Sequence, residues 1–523
     1  MTTPGSSPRS RALLALSSAL LLLLAQPPFG LLPLPFLALV PLGMGLERLP
    51  PGSRSLGTGA LMGLGFGVAF WGSSLIWVLT QVAPTFSWAY PGFGLLMVLL
   101  GGLSALFSWG YLQLRRGAGV PVALALPLAW VGVEWIKAHF PLGLAFPWLG
   151  LGVSLTGQPE LLGLAEWTGE AGVSFWLAGV NGLVVVAIQG GREGRIRGWL
   201  LALMAAMLPS VLGIARAETL ELGEGPRVAV VGTEVPRSLR GEPEAYAREA
   251  LEQVRLALDE ERRAPPRTEG WGAAPDPASL ASIDLLLLPE ATLPLPFESA
   301  EARPYRDALE EVARELDTPL LVGTQGQIPE EGVTNAILLL SPEGRAVDRY
   351  DKIRLVPAME GGYVRGEGTR VLGADGVRAG PLLCYESLFG VLARKAAARG
   401  ADLLVNLSSD VWFGRGASGI KSLFLHQHPA HLVLRAVETR LPVARAAHGG
   451  FSLVLDPLGR PVGPSLPPGE GAGVLVTVLP KASGTTLFTR TGDLVGRGAL
   501  LLSLLLVALS RRRRPAGDSL VVP

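Results

Sequence analysis

Long stretches without a formal charge constrain this chain more than any other feature. No Asp, Glu, Lys or Arg occurs between Arg11 and Glu47, and none between Arg54 and Arg115. Shorter gaps run from Gly117 to Val133, Ala171 to Gly191, Gly198 to Ala215 and Gly498 to Ser510. A transmembrane helix needs about 20 mainly apolar residues. The first two gaps are long enough for two spans each, and each is divided by breakers: Gln26-Pro27-Pro28 in the first, Pro84 and Pro91 in the second. Eight spans are expected, near 11–26, 29–46, 57–80, 91–114, 119–138, 171–190, 197–215 and 494–510. Charged residues are only 17% of the chain and the formal net charge is +1, which leaves no electrostatic footprint for nucleic acid.

The loops give an independent reading. Cytoplasmic loops carry the Lys/Arg excess. Arg9 and Arg11, Arg48 and Arg54, Arg115 and Arg116, Arg192 to Arg197, and Arg511 to Arg514 fall at alternate ends of the expected spans. The intervening loops near Pro27 and Pro84 have no basic residue, and the one after the fifth span has Lys137. Both termini are therefore expected in the cytoplasm, with the long segment between the last two spans on the outer face. A cleaved signal peptide is the alternative for the first span, but Pro27-Pro28 leads straight into another apolar run.

Charges return between about 224 and 482, where short apolar runs alternate with charged helical stretches. Arg227–Val231, Ile283–Leu288, Leu320–Gly323, Ala336–Leu340, Gly380–Cys384, Leu403–Leu407 and Phe451–Leu455 read as strands. Ala245–Arg263, Pro304–Leu316 and Leu432–Arg440 read as helices, and Glu269–Pro277 as a surface loop. The alternation predicts a layered α/β domain. The expected division is a membrane domain over 1–223, an extracytoplasmic domain over 224–482, and a last span with a basic tail over 483–523.

Three residues in this segment carry chemistry. Glu290 follows an apolar strand in Leu288-Pro289-Glu290-Ala291, Lys352 ends Tyr350-Asp351-Lys352, and Cys384 closes another strand in Leu382-Leu383-Cys384-Tyr385-Glu386. Alone, each has an ordinary explanation: a solvated turn carboxylate, a surface amine, a small buried hydrophobe. Together they fit one mechanism. A Glu within hydrogen-bond reach takes the thiol proton. A Lys favours the thiolate and then the oxyanion, and the Tyr385 N–H is a second oxyanion donor. A thioester acyl-enzyme is the result. Cys384 is the only cysteine, so an intrachain disulfide is excluded. His426, His428 and His431 lie close in sequence, but no Cys or carboxylate beside them completes a ligand set, so no metal is expected. The mechanism needs no cofactor.

The order Glu, Lys, Cys with these surroundings resembles the carbon–nitrogen hydrolase (nitrilase) superfamily. Tyr350-Asp351-Lys352 with Leu355-Val356-Pro357 and Glu360, and Leu383-Cys384-Tyr385-Glu386, are similar to the lysine and nucleophile motifs of apolipoprotein N-acyltransferases. Ser409-Asp410-Val411-Trp412-Phe413-Gly414, Gln427-His428 and Arg435-Ala436-Val437-Glu438 continue the likeness, as do Glu134-Trp135 and Phe146-Pro147-Trp148-Leu149 in the membrane part. Gly241, Ser409 and His448-Gly449-Gly450 depart from the family pattern.

The resemblance implies a polytopic α-helical membrane domain of about eight helices, with an α/β nitrilase-like αββα domain inserted between the last two spans. It implies an enzyme of the bacterial inner membrane. Cys384 would take a fatty acyl chain from a phospholipid donor and pass it to the α-amino group of the diacylglyceryl-cysteine of an apolipoprotein acceptor. Glu290 would be the general base and Lys352 the oxyanion stabiliser. Glu360 would support Lys352 or the acid–base network, and Tyr385 and Glu386 would shape the pocket. Phe146, Trp148 and Trp412 are expected at the apolar entrance, where interfacial anchoring or plain packing is the alternative. No obligate protein partner is implied. Two other readings keep part of this picture: a membrane-anchored amidase that passes the acyl group to water, and a transporter or scaffold with an inert outer domain.

Overall fold

The computed structural model describes residues 7–141, 143–263, 280–374, 376–414, 416 and 418–512. The surface loop expected at 269–277 and the Arg513-Arg514 end of the basic tail lie outside the described residues.

The apolar runs fold into helices α1 (Pro8–Ala25), α2 (Val40–Glu47), α3 (Ser53–Ser74), α4 (Ala89–Leu112), α5 (Val122–Ala138), α6 (Ala165–Gln189) and α7 (Arg192–Thr219). Among the described residues six helical segments are long and apolar enough to cross a membrane: Pro8–Ala25, Arg54–Ser74, Ala89–Gly117, Pro159–Gln189, Arg192–Thr219 and Leu494–Arg511. Two of the eight expected spans are shorter. The run 29–46 breaks into a 3₁₀ turn at Leu34–Phe36 and the 8-residue α2, because Pro33, Pro35 and Pro41 each withdraw a backbone donor. Helix α5 has 17 residues with Pro127 inside it, a rise of about 25 Å against a hydrocarbon core of about 30 Å. Leu95, Leu203, Met204 and Leu501 are among many large apolar side chains left exposed on these helices, as a lipid-facing surface requires.

From residue 222 the chain builds β1 (Leu222–Gly232), α8 (Pro243–Arg263), β2 (Leu285–Leu287), β3 (Leu293–Pro296), α9 (Arg303–Leu316), β4 (Leu320–Ile328), β5 (Gly332–Leu340), β6 (Ala346–Asp351), β7 (Leu372–Ala374) and β8 (Val377–Leu383). Then come α10 (Gly390–Ala398), β9 (Leu403–Ser409), α11 (Leu423–Thr439), β10 (Val443–His448), β11 (Leu453–Leu455), β12 (Gly473–Ala482), the short α12 (Leu487–Thr491) and α13 (Leu494–Arg512). One sheet runs β12-β1-β2-β4-β5-β6, with β3 on β4; the other runs β11-β10-β9-β8-β7. Within them β1, β2 and β4 are parallel, as are β8, β9 and β10.

The inner faces of the two sheets meet through Val228, Val230, Leu287 and Leu339 on one side and Leu383, Val405 and Ala444 on the other. Helices α8 and α9 cover the outside of the first sheet through Leu251, Val254, Leu309 and Val312. Helices α10 and α11 cover the second, and their core is continuous with that of the membrane helices. The result is a four-layer αββα sandwich seated by its α11 side on α6. Charged groups tie that junction: Arg435 pairs with Glu170 at 3.0 Å and with Glu438 at 3.0 Å, and Arg440 pairs with Glu166. Burial pushes the Glu438 carboxyl up to about 7 despite Arg435 beside it.

Candidate active site

Glu290, Lys352 and Cys384 each stand one to three residues past a strand end, those of β2, β6 and β8, the position where open α/β sheets build sites. The turn at Glu290 needs Ala291 in a left-handed conformation (φ 57°). It also needs Gly323 on the neighbouring β4, because a β-carbon there would sit 2.4 Å from the Glu290 Cα. Cys384 itself is left-handed (φ 49°) and opens a 3₁₀ turn, Cys384–Leu388, instead of closing the strand as its sequence suggests. Such non-glycine conformations cost free energy and persist where their surroundings fix them.

The carboxylates and the amine form one buried cluster. Lys352 Nζ lies 2.8 Å from Glu360 Oε1 and 3.3 Å from Glu290 Oε1. Asn335 Nδ2, on β5, donates to both of those oxygens at 2.8 Å. The second oxygen of Glu290 accepts from the Ser409 N–H (2.7 Å), and that of Glu360 from the Val356 N–H (2.6 Å). Burial alone would lower the Lys352 pKa, but Glu290, Glu360 and the Cys384 sulfur outweigh it and hold the ammonium well above its ordinary value. Burial, then Glu290, push the Cys384 thiol far above its ordinary value, against the pull of Lys352. The resting cysteine is therefore a thiol that needs a base to ionise it.

Two cavities meet at Cys384. One, of about 360 Å³, is almost wholly apolar and is walled on one side by helices and loops of the membrane part (Trp77, Trp88, Leu95, Phe146 and Trp148 among others) and on the other by the αββα domain, including Phe424 of α11. Trp88 and Leu95 are 42% and 71% exposed, so this chamber reaches the surface along the apolar helix α4. The other, of about 500 Å³, holds Glu290, Asn335, Glu360, Tyr363, Ser409 and Trp412. Both share Cys384, Val356, Met359 and Phe413.

The remaining residues singled out in the sequence are distributed as follows. Phe146 and Trp148 line the apolar chamber, and Trp148 is stacked on Phe424 at 5.3 Å. Trp412 lines the other cavity, with its ring 5.1 Å from Phe86, so the three aromatics do not form one entrance. Tyr385 lines the apolar chamber and donates its hydroxyl to the Ala145 carbonyl at 2.8 Å. Glu386 faces neither cavity. It is fully buried and accepts from the Leu383, Ile353 and Arg354 N–H groups and the Tyr350 hydroxyl, bolting the nucleophile turn to the segment after Lys352. The histidines diverge: His426 lies against Phe451, His431 against Trp148, and His428 turns to Asp410. Gly241 lines the polar cavity, with open space where a β-carbon would be. Among the described residues no group of three or more His, Cys, Asp or Glu is arranged to hold a metal.

Asn335, Phe413, Phe424 and Trp77 were not legible as site residues. For Asn335 the signal was present: a lone amide inside the apolar run of β5 asks for a buried polar partner.

Residues 18–183 match the apolipoprotein N-acyltransferase N-terminal domain family, and residues 227–483 match the carbon-nitrogen hydrolase family. An apolipoprotein N-acyltransferase of Geobacter metallireducens is 29% identical over 97% of this chain and 96% of its own. One of Azotobacter vinelandii is 31% identical over 96% of this chain and 95% of its own. Among solved structures, an amidase of the nitrilase superfamily from Nesterenkonia AN1 is similar at 26% identity, over 49% of this chain and 92% of that one, with a TM-score of 0.37. The chain belongs to the apolipoprotein N-acyltransferase family, membrane-embedded acyltransferases that carry a nitrilase-like domain.

Proposed function

We propose a two-step acyl transfer through a thioester on Cys384. In the first step Glu290 takes the Cys384 proton, and the thiolate attacks an ester carbonyl of a phospholipid. Lys352 and the Tyr385 N–H receive the developing oxyanion. The carbon–oxygen bond breaks, Glu290 returns the proton to the departing alkoxide, and a lysophospholipid leaves. In the second step Glu290 takes a proton from the α-amino group of a diacylglyceryl-cysteine at an apolipoprotein N-terminus. The nitrogen attacks the thioester, the amide forms, and the thiolate leaves and is reprotonated by Glu290.

The observation that carries this reading is the place of Cys384, where an apolar chamber that reaches the surface along α4 meets a polar cavity holding Glu290. The acyl chain takes the apolar chamber, along Phe146 and Trp148, which keeps the thioester away from water. The amine arrives through the cavity bordered by Trp412 and Phe86. Glu360 and Asn335 hold Lys352 and Glu290 in register. Anchoring enzyme and lipids in one bilayer raises their effective encounter.

The same reading assigns residues 1–223 and the final helix to the bacterial inner membrane, with both termini cytoplasmic and the 224–482 domain on the outer face. The test is a coupled incubation with phospholipid and a diacylated lipopeptide. Triacylated peptide in step with lysophospholipid is the expected result. Free fatty acid with no acylated peptide, or turnover of a small amide without lipid, would replace it with an anchored amidase.

A further inference from the structure

A buried polar chain lies behind the nucleophile and takes no part in the steps above. Arg445 on β10 pairs with Asp410 and contacts Asn406, all three fully buried. Asp410 Oδ1 lies 3.2 Å from His428 Nδ1 and 2.7 Å from the Ser408 hydroxyl that donates to it. On its other edge, His428 Nε2 lies 3.1 Å from the Cys384 carbonyl oxygen and 3.1 Å from Ser387 Oγ. A carbonyl only accepts, so the contact to Cys384 requires the proton on Nε2. Without a proton Nδ1 accepts from Arg445 Nη2 at 3.4 Å, and with one it donates to Asp410 Oδ1 at 3.2 Å. Asn406 Nδ2 adds a longer bond to the same carbonyl at 3.4 Å.

The carbonyl so held belongs to the residue with the left-handed backbone (φ 49°). The His428 ring also forms part of the apolar chamber wall, 5.0 Å from Phe424 and 6.1 Å from Trp148. His428 thus touches both the chamber and the backbone of the nucleophile.

We propose that His428 is a positioning residue for acyl transfer: its Nε2–H, oriented by Asp410 and Arg445, holds the Cys384 carbonyl and so fixes the left-handed turn that presents the thiol to both cavities. The inference rests on Cys384 being the nucleophile. A misplaced nucleophile slows the bond-forming step without weakening substrate binding.

The experiment compares His428→Phe, which keeps an aromatic wall, with His428→Gln, whose amide can reach the carbonyl as a donor. Single-turnover acylation by phospholipid is measured in the full-length protein in detergent, beside alkylation of the sole cysteine by iodoacetamide. His428→Phe is expected to lower the maximal acylation rate ~100-fold with KM within about twofold, and His428→Gln to restore at least about a tenth of the wild-type rate. Alkylation is expected to fall in the Phe variant and recover in the Gln variant. If His428→Phe does not fold by thermal melting, His428→Asn, too short to reach the carbonyl, carries the same expectation. Wild-type rates in the Phe variant, a pure rise in KM, or a Gln variant as slow as Phe would each overturn the proposal. If wild-type protein forms no acyl adduct, the acyl-transfer reading fails, and the alkylation series still decides the positioning role.

Discussion

Lys352 stands nearer to Glu360 (2.8 Å) than to Glu290 (3.3 Å), the carboxylate we propose as the base. Glu360 makes the shorter contact with the ammonium and shares it with Glu290. Glu360→Gln removes that share and lets Lys352 pair with Glu290 alone. Acylation is expected to slow ~10–100-fold, the size of a lost buried charged contact, with little change in phospholipid KM. An unchanged rate would mean that Glu360 only packs.

Asn335 donates to both carboxylates at 2.8 Å. Asn335→Leu keeps the volume, removes both donors and leaves two buried carboxylates facing one amine. We expect a fall in acylation of similar size, and a lower melting temperature as well, because each buried oxygen keeps only Lys352 as donor and a hydrogen bond to a charged group is worth about 1.5–3 kcal/mol. Thermal melting and single-turnover acylation on the same sample check both.

Gly323 tests how tightly Glu290 is placed. A β-carbon there would lie 2.4 Å from the Glu290 Cα and 2.4 Å from the Pro289 carbonyl oxygen, both backbone atoms that cannot rotate away. Gly323→Ala must displace the Glu290 turn, and a shift of about 1 Å costs ~100-fold in rate. Wild-type activity in this variant would show that the position of Glu290 is not critical.

Leu95 is 71% exposed and lines the apolar chamber where it reaches the surface. Leu95→Trp fills that opening without touching the cysteine. Stability should change by less than about 0.5 kcal/mol, as for exposed substitutions generally. Phospholipid KM should rise severalfold while alkylation of Cys384 by a small reagent is unaffected. An unchanged KM would send the acyl chain in by another route.

Burial raises the Glu438 carboxyl to about 7 in the folded protein, above its ordinary 4.5. The folded state therefore binds this proton more tightly than the unfolded chain does. Its contribution to stability is complete below pH 4.5 and is lost as pH rises through about 7. Glu438→Gln should flatten that part of the melting-temperature profile. An identical slope in both proteins would remove Glu438 as the cause.

Much of this was legible in the sequence, and the reasons differ by residue. Charge gaps marked most of the membrane helices, because lipid tolerates few charges. Prolines 33, 35 and 41 break the second expected span into shorter helical pieces, and hydropathy alone does not register that. Glu290 and Cys384 were visible because each sits at the end of an apolar strand, and Lys352 through its Tyr350-Asp351-Lys352 setting. Strands β10 and β12 were not, since Arg445 interrupts one apolar run and Pro480 and Lys481 the other. The buried position of Arg445 depends on Asp410, which only the folded chain brings to it. Trp77, Phe146 and Phe424 meet from three distant segments, so no local pattern could group them into one chamber. Glu386 read as a pocket residue from its place beside the cysteine, but the 3₁₀ turn points it into the interior.

The most direct test of the central claim is the intact mass of the purified protein after incubation with phospholipid alone. Cys384 is the only cysteine, so any thioester has one possible address. The predicted result is a gain of one fatty acyl group, released by hydroxylamine and absent in Cys384→Ala. No adduct with any phospholipid, from protein whose Cys384 still alkylates, would contradict an acyl-enzyme formed from lipid.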